Sequence, residues 1–176
     1  MKNKRVLLTV VMMLFSLFIY SRPVHTYAAM SVDATVKEAV SASKNLYWSW
    51  SVAGRGDGEV QPYAEYNQTK LKLANAKKAV SSLPKSKQAA YKKSLDEVQL
   101  QIDRAAVYID IVPRCKKVEE KRIALEKLVQ SGLLTDETEK KFHELSYEIK
   151  KQAAMFDKVY GKTTRDAIRK YYKEKA

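Results

Sequence analysis

The chain has 176 residues and is strongly basic, with 33 Lys and Arg against 20 Asp and Glu and a formal net charge of +13. Its single cysteine, Cys115, excludes an intramolecular disulfide, so packing has to stabilise the fold. Only two histidines are present, which excludes a histidine-rich metal site.

The N-terminus has the pattern of a secretory signal. A short basic start is followed by an apolar run over 6–20. As a helix that run reaches about 22 Å, short of the roughly 30 Å core of a bilayer. We therefore predict a signal peptide at 1–28 with cleavage after Ala28, Val32-Asp33-Ala34 being a second possible site and an uncleaved anchor the alternative. The remaining chain keeps a net charge of +9.

Helical periodicity dominates the rest of the chain, and strand-like alternation is nearly absent. The first helix is predicted from an N-cap at Asp33 to about Ser51. Its apolar stripe comprises Val36, Val40, Tyr47 and Trp50. Three glycines between 54 and 58 then interrupt it. The second helix starts near Pro62, turns Tyr66, Leu73, Ala76 and Val80 inward, and ends by Ser82.

The third helix carries the clearest pattern of the chain. Apolar residues alternate spacings of four and three along a heptad stripe: Tyr91, Leu95, Val98, Ile102, Ala105, Ile109 and Val112. Pro113 follows, where we expect a kink or a restart. The apolar face then continues through Cys115, Val118, Leu125 and Val129 to a C-cap at Gly132.

Two further helices follow. Thr135 with Asp136 and Glu137 opens the fourth, with a stripe of Phe142, Leu145, Ile149, Ala153 and Phe156. Trp50, Tyr91 and Tyr147 are predicted to be core aromatics. Thr163 or Thr164 caps a last short helix after Gly161, with Ile168 and Tyr171 facing inward.

These stripes predict an all-α fold of consecutive three-helix bundles that share one long helix, in which Pro113 can produce a kink. The first bundle covers about 32–105 and the second about 106–176, within one domain at 29–176. A single longer three- or four-helix bundle is the alternative.

The sequence offers no motif for catalysis, a cofactor or a metal. Gly161-Lys162-Thr163-Thr164 has the end of a phosphate-binding loop, but Phe156 stands where its first glycine belongs. His143-Glu144 would need a second histidine at Tyr147 for a zinc pair. We therefore expect a noncatalytic protein without cofactor or metal.

Positive charge is concentrated near the C-terminus, where 140–176 carries a net charge of +6. Nucleic acid is scarce outside a cell, so the predicted partner is an acidic wall glycan, attracted by the basic residues and stacked on Tyr or Trp. The candidate binding residues are Tyr66, Lys70, Lys150, Lys158, Tyr160, Lys162, Arg165 and Arg169.

The run from Asp157 to Asp166, DKVYGKTTRD, is similar to a segment in the N-terminal helical region of SbsC-type S-layer proteins. Shorter pieces around Tyr63, Tyr108 and Tyr147 follow in the same order, so the resemblance covers about 32–176. It implies triple-helical bundles joined by long shared helices. It also implies binding of a negatively charged secondary cell-wall polymer on a Gram-positive surface. The chain stops at Ala176, so we expect it not to supply the surface lattice itself.

Other functions remain open at this point. The charge could serve only as a solubilising surface. A helical interaction protein would instead bind another surface protein through exposed apolar residues such as Tyr172. Binding to the membrane surface is a further, less favoured alternative.

Overall fold

The structure is a computed structural model that describes residues 31–132 and 135–172. The predicted signal peptide at 1–28 therefore lies outside the described residues. The described part contains five helices and no strand: α1 (Val32–Trp50), α2 (Tyr63–Ser81), α3 (Lys85–Gln130), α4 (Asp136–Phe156) and α5 (Lys162–Tyr172). None of these helices combines the length and the hydrophobicity needed to cross a bilayer.

Helix α1 begins two residues earlier than predicted from its acidic residue. The N-cap is Ser31, whose Oγ accepts a hydrogen bond from the backbone N–H of Ala34 at 3.1 Å. The prediction of Asp33 as the cap is therefore wrong. Asp33 lies in the first turn, where its charge favours the positive end of the helix dipole.

Helices α1 and α2 pack as an antiparallel pair through a buried polar contact. Thr69 of α2 is fully buried, and its Oγ1 donates to the carbonyl oxygen of Ala42 in α1 at 3.1 Å. Pro62 immediately precedes α2, as its fixed φ allows. The predicted inward residues Leu73, Ala76 and Val80 are buried.

Helix α3 runs for 46 residues, about 69 Å at 1.5 Å per residue. Pro113 lies inside it, so the helix does not restart at that position, and the kink expected as the alternative stays a prediction. The predicted stripe from Val98 to Val112 is buried, and the burial continues to Val118. Val129 is 52% exposed, so the apolar face does not stay buried to the end of the helix.

The two halves of α3 have different partners. In the first half, Tyr91 donates to Asp33 of α1 and Gln99 accepts from Lys77 of α2. In the second half, Arg114 donates to Gln152 of α4. The predicted all-α fold of consecutive bundles sharing a long helix is therefore confirmed. The division near residue 105 stays a prediction, because one apolar core runs through both parts.

Helix α4 buries Leu145 and Phe156 of the predicted stripe, but it leaves Ala153 exposed and completes its buried face with polar residues. Its buried residues are Thr138, Leu145, Glu148, Gln152 and Phe156. Gln152 accepts from Arg114 and donates to Glu148 at 2.6 Å, so both polar side chains are buried with partners. Phe142 is instead 55% exposed and Tyr147 66% exposed. Their prediction as core residues is wrong, because apolar periodicity cannot detect a polar buried face.

The loop between α1 and α2, called the glycine loop here (51–62), is tied to both bundles. The N–H of Gly58 donates to the Tyr108 hydroxyl at 2.9 Å, near the middle of α3. The Tyr172 hydroxyl of α5 donates to the carbonyl oxygen of Gly58 at 3.2 Å. Tyr172 is buried, so the expectation that it offers an exposed partner surface is wrong.

Cys115 is a buried thiol on α3 and is expected to be unreactive in the folded protein. Burial raises its pKa from 9.0 to about 12. We expect no labelling by a disulfide reagent at about pH 8 until urea unfolds the chain, because the thiolate is the reactive form. The pKa of this thiol is higher in the folded than in the unfolded chain, so burial of the neutral thiol favours the folded state fully below about pH 9. This stabilisation is lost as pH rises towards 12, because the unfolded chain then releases the proton more readily. Rapid labelling of Cys115 in the native protein, followed by absorbance, would contradict the expected lack of reactivity.

Candidate ligand-binding surface around Tyr160

Tyr160 lies in the turn that joins α4 to α5. The turn is possible because Gly161 has a φ of 86°, in the left-handed region that glycine adopts without strain. The Tyr160 ring is 46% exposed, and one edge contacts the buried Trp50 indole at a centroid distance of 6.3 Å. Tyr160 is thus a fixed ring with an open side.

Arg104 of α3 stacks on this ring. Its guanidinium carbon lies 3.3 Å from the ring centroid, a close cation–π contact. The sequence analysis did not identify Arg104. It is 56 positions from Tyr160, and no local pattern marks a pair that only the packing of α3 against the turn creates.

Three of the predicted cations bind neighbouring groups, and two of them, Arg165 and Arg169, contact the turn. Arg165 donates to the carbonyl oxygen of Val159 at 2.8 Å, and Arg169 pairs with Asp157. Lys162 pairs with Asp166 at 2.8 Å, and this hydrogen bond lowers the pKa of the Asp166 carboxyl. These cations lie close to Tyr160 in sequence, and part of their charge is neutralised by neighbouring groups.

Lys158 and Lys150 differ from these cations, because no carboxylate of the described residues neutralises their charge. Lys158 lies in the Tyr160 turn and Lys150 near the end of α4, and both are exposed. Among the described residues, neither forms an ion pair. They can therefore contact a bound anion without breaking an existing contact.

Tyr66 and Lys70 form a separate pair on α2. The Lys70 ammonium lies 5.2 Å from the centroid of the Tyr66 ring, which packs partly against the core. Within the described ranges, no contact joins this pair to Tyr160. The structure thus brings together the residues around Tyr160 and leaves Tyr66 and Lys70 as a second location.

The residues that the structure describes contain no cluster of three or more His, Cys, Asp or Glu that could hold a metal ion. The chemistry available around Tyr160 is that of cations, an aromatic face and backbone groups.

The helical fold is similar to that of S-layer proteins. Residues 37–176 match the family described as SbsC C-terminal domain, and the chain belongs to this family. Membership places it among S-layer proteins, which implies a location at the cell surface, and not in a known enzyme family. The resemblance seen in the sequence is confirmed.

Relatives support the same assignment. An S-layer protein of Geobacillus stearothermophilus is 33% identical over 178 residues, which cover 92% of this chain and 14% of that protein. The crystal structure of the N-terminal part of the S-layer protein SbsC aligns with a TM-score of 0.63 at 28% identity, over 82% of this chain and 38% of that one. A crystal structure of rSbsC aligns with a TM-score of 0.68 at 28% identity, over 84% of this chain and 22% of the other.

The chain thus spans a small part of each of these relatives. The family description names a C-terminal domain, whereas one matched structure is an N-terminal part. The structural match indicates the kind of helical bundle, and the matched crystal structure is that of the N-terminal part of the longer SbsC protein.

Proposed function

We propose that this chain is a noncatalytic, secreted cell-surface module that binds an anionic secondary cell-wall polymer of a Gram-positive wall. The observation that carries the proposal is the exposed Tyr160 ring with the Arg104 guanidinium on its face, beside the uncommitted Lys158. An aromatic face can stack on a sugar ring while neighbouring cations attract its acidic groups.

The charge of the molecule favours a repeating anionic partner. After removal of the predicted signal peptide the net charge is +9, and lysine is a flexible point charge suited to diffuse attraction. Each exposed charge contact contributes little on its own. A polymer with many acidic groups can still bind tightly, because each further contact is intramolecular once the first contact has formed.

Co-sedimentation of the mature protein with cell walls tests the proposal, using walls before and after extraction of the secondary polymer. We expect the protein to sediment with intact walls and to stay in solution with extracted ones. Binding should weaken at least about tenfold as the Debye length falls from about 30 Å to about 3 Å between 0.01 and 1 M salt. Equal binding to both wall preparations would contradict the proposal.

A double variant, Lys150→Gln with Lys158→Gln, should weaken polymer binding about fivefold, since two weak charge contacts are lost. The matched control is Lys85→Gln with Lys87→Gln. It removes the same charge from the start of α3, about 28 Å from Arg104 along the helix. Equal losses in the two double variants, measured by co-sedimentation, would show a general effect of net charge and not a surface around Tyr160.

A surface-protein partner is a second candidate function, favoured by an apolar groove at the far end of the second bundle. The groove has a volume of about 470 Å³, and its apolar side chains are Leu125, Val129 and Phe142. Pull-down from wall-free culture medium separates this function from glycan binding. A Phe142→Glu variant that keeps wall binding and loses a captured protein would assign the groove to the partner.

A further inference from the structure

A groove between α1 and the first half of α3 lies outside the predicted binding residues. Its volume is about 310 Å³. The residues that matter for its chemistry are Lys44, Tyr47 and Trp48 from α1 and Glu97, Leu100 and Gln101 from α3.

One wall of the groove is an exposed aromatic platform. The Trp48 side chain is 55% exposed and Tyr47 is 38% exposed, with their ring centroids 5.9 Å apart. The core does not need either ring, because α1 already buries Leu46 and Trp50. Tyr47 is nevertheless held in place by an edge contact with Trp50 at 5.5 Å. The platform is therefore partly preorganised, which lowers the entropy lost on binding.

The opposite wall, formed by α3, carries a polar group with unused hydrogen-bonding capacity. The Gln101 side-chain oxygen is buried and accepts no hydrogen bond in the described structure. A buried acceptor without a partner is costly, and a ligand hydroxyl would supply the missing donor. Lys44 and Glu97 are exposed, and neither forms an ion pair within the described part of the chain.

These features favour one class of ligand. An acyl chain would leave the Gln101 acceptor without a donor, and a strong anion would meet Glu97 beside Lys44. A sugar ring has an apolar face for an indole and hydroxyls that both donate and accept.

The groove also lies near the Tyr160 surface, because one ring from each place contacts the same tryptophan. The buried Trp50 indole contacts Tyr47 on one side and Tyr160 on the other, at 5.5 Å and 6.3 Å between centroids. Arg104 follows Gln101 by one turn of α3. One carbohydrate chain can therefore cross both places.

We propose that this groove binds a pyranose unit of a carbohydrate chain, with the sugar face on Trp48 and its hydroxyls towards Gln101. The inference rests on the proposed function and adds to it a second contact zone on the same polymer. It predicts that this zone recognises the sugar rings, whereas the cations around Tyr160 respond to the charge. The two zones should therefore differ in salt dependence.

The chain offers a direct readout, because it contains two tryptophans that differ in exposure. Trp48 is 55% exposed and Trp50 is 1% exposed. Their indole N–H groups give two signals in a ¹H–¹⁵N spectrum of the mature protein, and Trp48→Ala assigns them by removing one. The probes are an uncharged N-acetylglucosamine trimer at about 1 M salt, where the Debye length is about 3 Å, and the purified anionic wall polymer at low salt.

We expect at least one probe to shift the Trp48 signal. Trp48→Ala should weaken that binding about fivefold, as expected for loss of one stacking contact. The matched control is Tyr147→Ala, which removes another exposed ring from α4 and should leave affinity unchanged. Thermal unfolding of each variant checks that the fold is retained.

Each outcome decides one of the two proposals. If neither probe shifts the Trp48 signal, the groove is not a sugar site. If the polymer binds while Trp48 is silent and Trp48→Ala has no effect, the groove proposal is overturned and the proposed function stands. If the neutral trimer shifts Trp48 while the polymer does not bind, the groove proposal is supported and the proposed function fails.

Discussion

Gly58→Ala should lower the free energy of unfolding by about 2–4 kcal/mol, one of the two largest effects expected in this chain. Gly58 has a φ of 86°, which costs a residue with a Cβ about 1–2 kcal/mol. A Cβ would also lie 2.9 Å from Cε2 of Tyr172. Moving that ring away weakens the hydrogen bonds that Gly58 makes to Tyr108 and Tyr172, each contributing about 0.5–1.5 kcal/mol.

Gly132→Ala is the matched control for this substitution. Gly132 also has a positive φ, 72°, but a Cβ there would meet no atom of the described residues within 4 Å beyond its own chain neighbours. It should cost about 1–2 kcal/mol, the backbone contribution alone. Urea unfolding followed by circular dichroism measures both variants. Equal losses of stability would show that the glycine loop does not depend on its contacts with Tyr172 and Tyr108.

Trp50→Ala should cost about 3–5 kcal/mol, the range observed when a buried aromatic side chain is removed. Trp50 is 1% exposed and contacts Tyr47, Tyr108 and Tyr160, so its loss opens a cavity where α1, α3 and the Tyr160 turn meet. The Trp50 indole N–H has no hydrogen-bond partner among the described atoms. Removing that unpaired donor favours the lower end of the range.

Trp48→Ala, two positions away, provides the comparison. Trp48 is 55% exposed, so its truncation should change the free energy of unfolding by no more than about 0.5 kcal/mol. The midpoint of thermal or urea unfolding separates the two variants. A loss at Trp48 as large as the loss at Trp50 would show that the groove platform is part of the core and not a free surface.

The helical architecture could be predicted because its signals are local. The heptad stripe of α3 and the glycines before α2 are properties of neighbouring residues, and each specifies an element wherever it packs. The buried apolar face of α3 continues past Pro113, because burial of Val112 and Cys115 on either side of the proline stabilises the helix there. The error at Asp33 has the same local origin, because Ser31 offers an equally good cap.

The candidate surface could be predicted only in part. The basic and aromatic residues around Gly161 are neighbours in sequence and were found. Arg104 was missed because its contact with Tyr160 depends on tertiary packing. The buried Glu148 and Gln152 were missed for a related reason, since a polar residue is buried only if a distant partner such as Arg114 is present.

The hydrogen bonds of Gly58 also constrain the order in which the molecule can be completed. One of them comes from Tyr172, 114 positions further along the chain. When the chain is synthesised from its N-terminus, α1 and α2 can form early, but this hydrogen bond cannot form until α5 has been made. The glycine loop is therefore completed late in folding, and protease access to it should persist until α5 is in place.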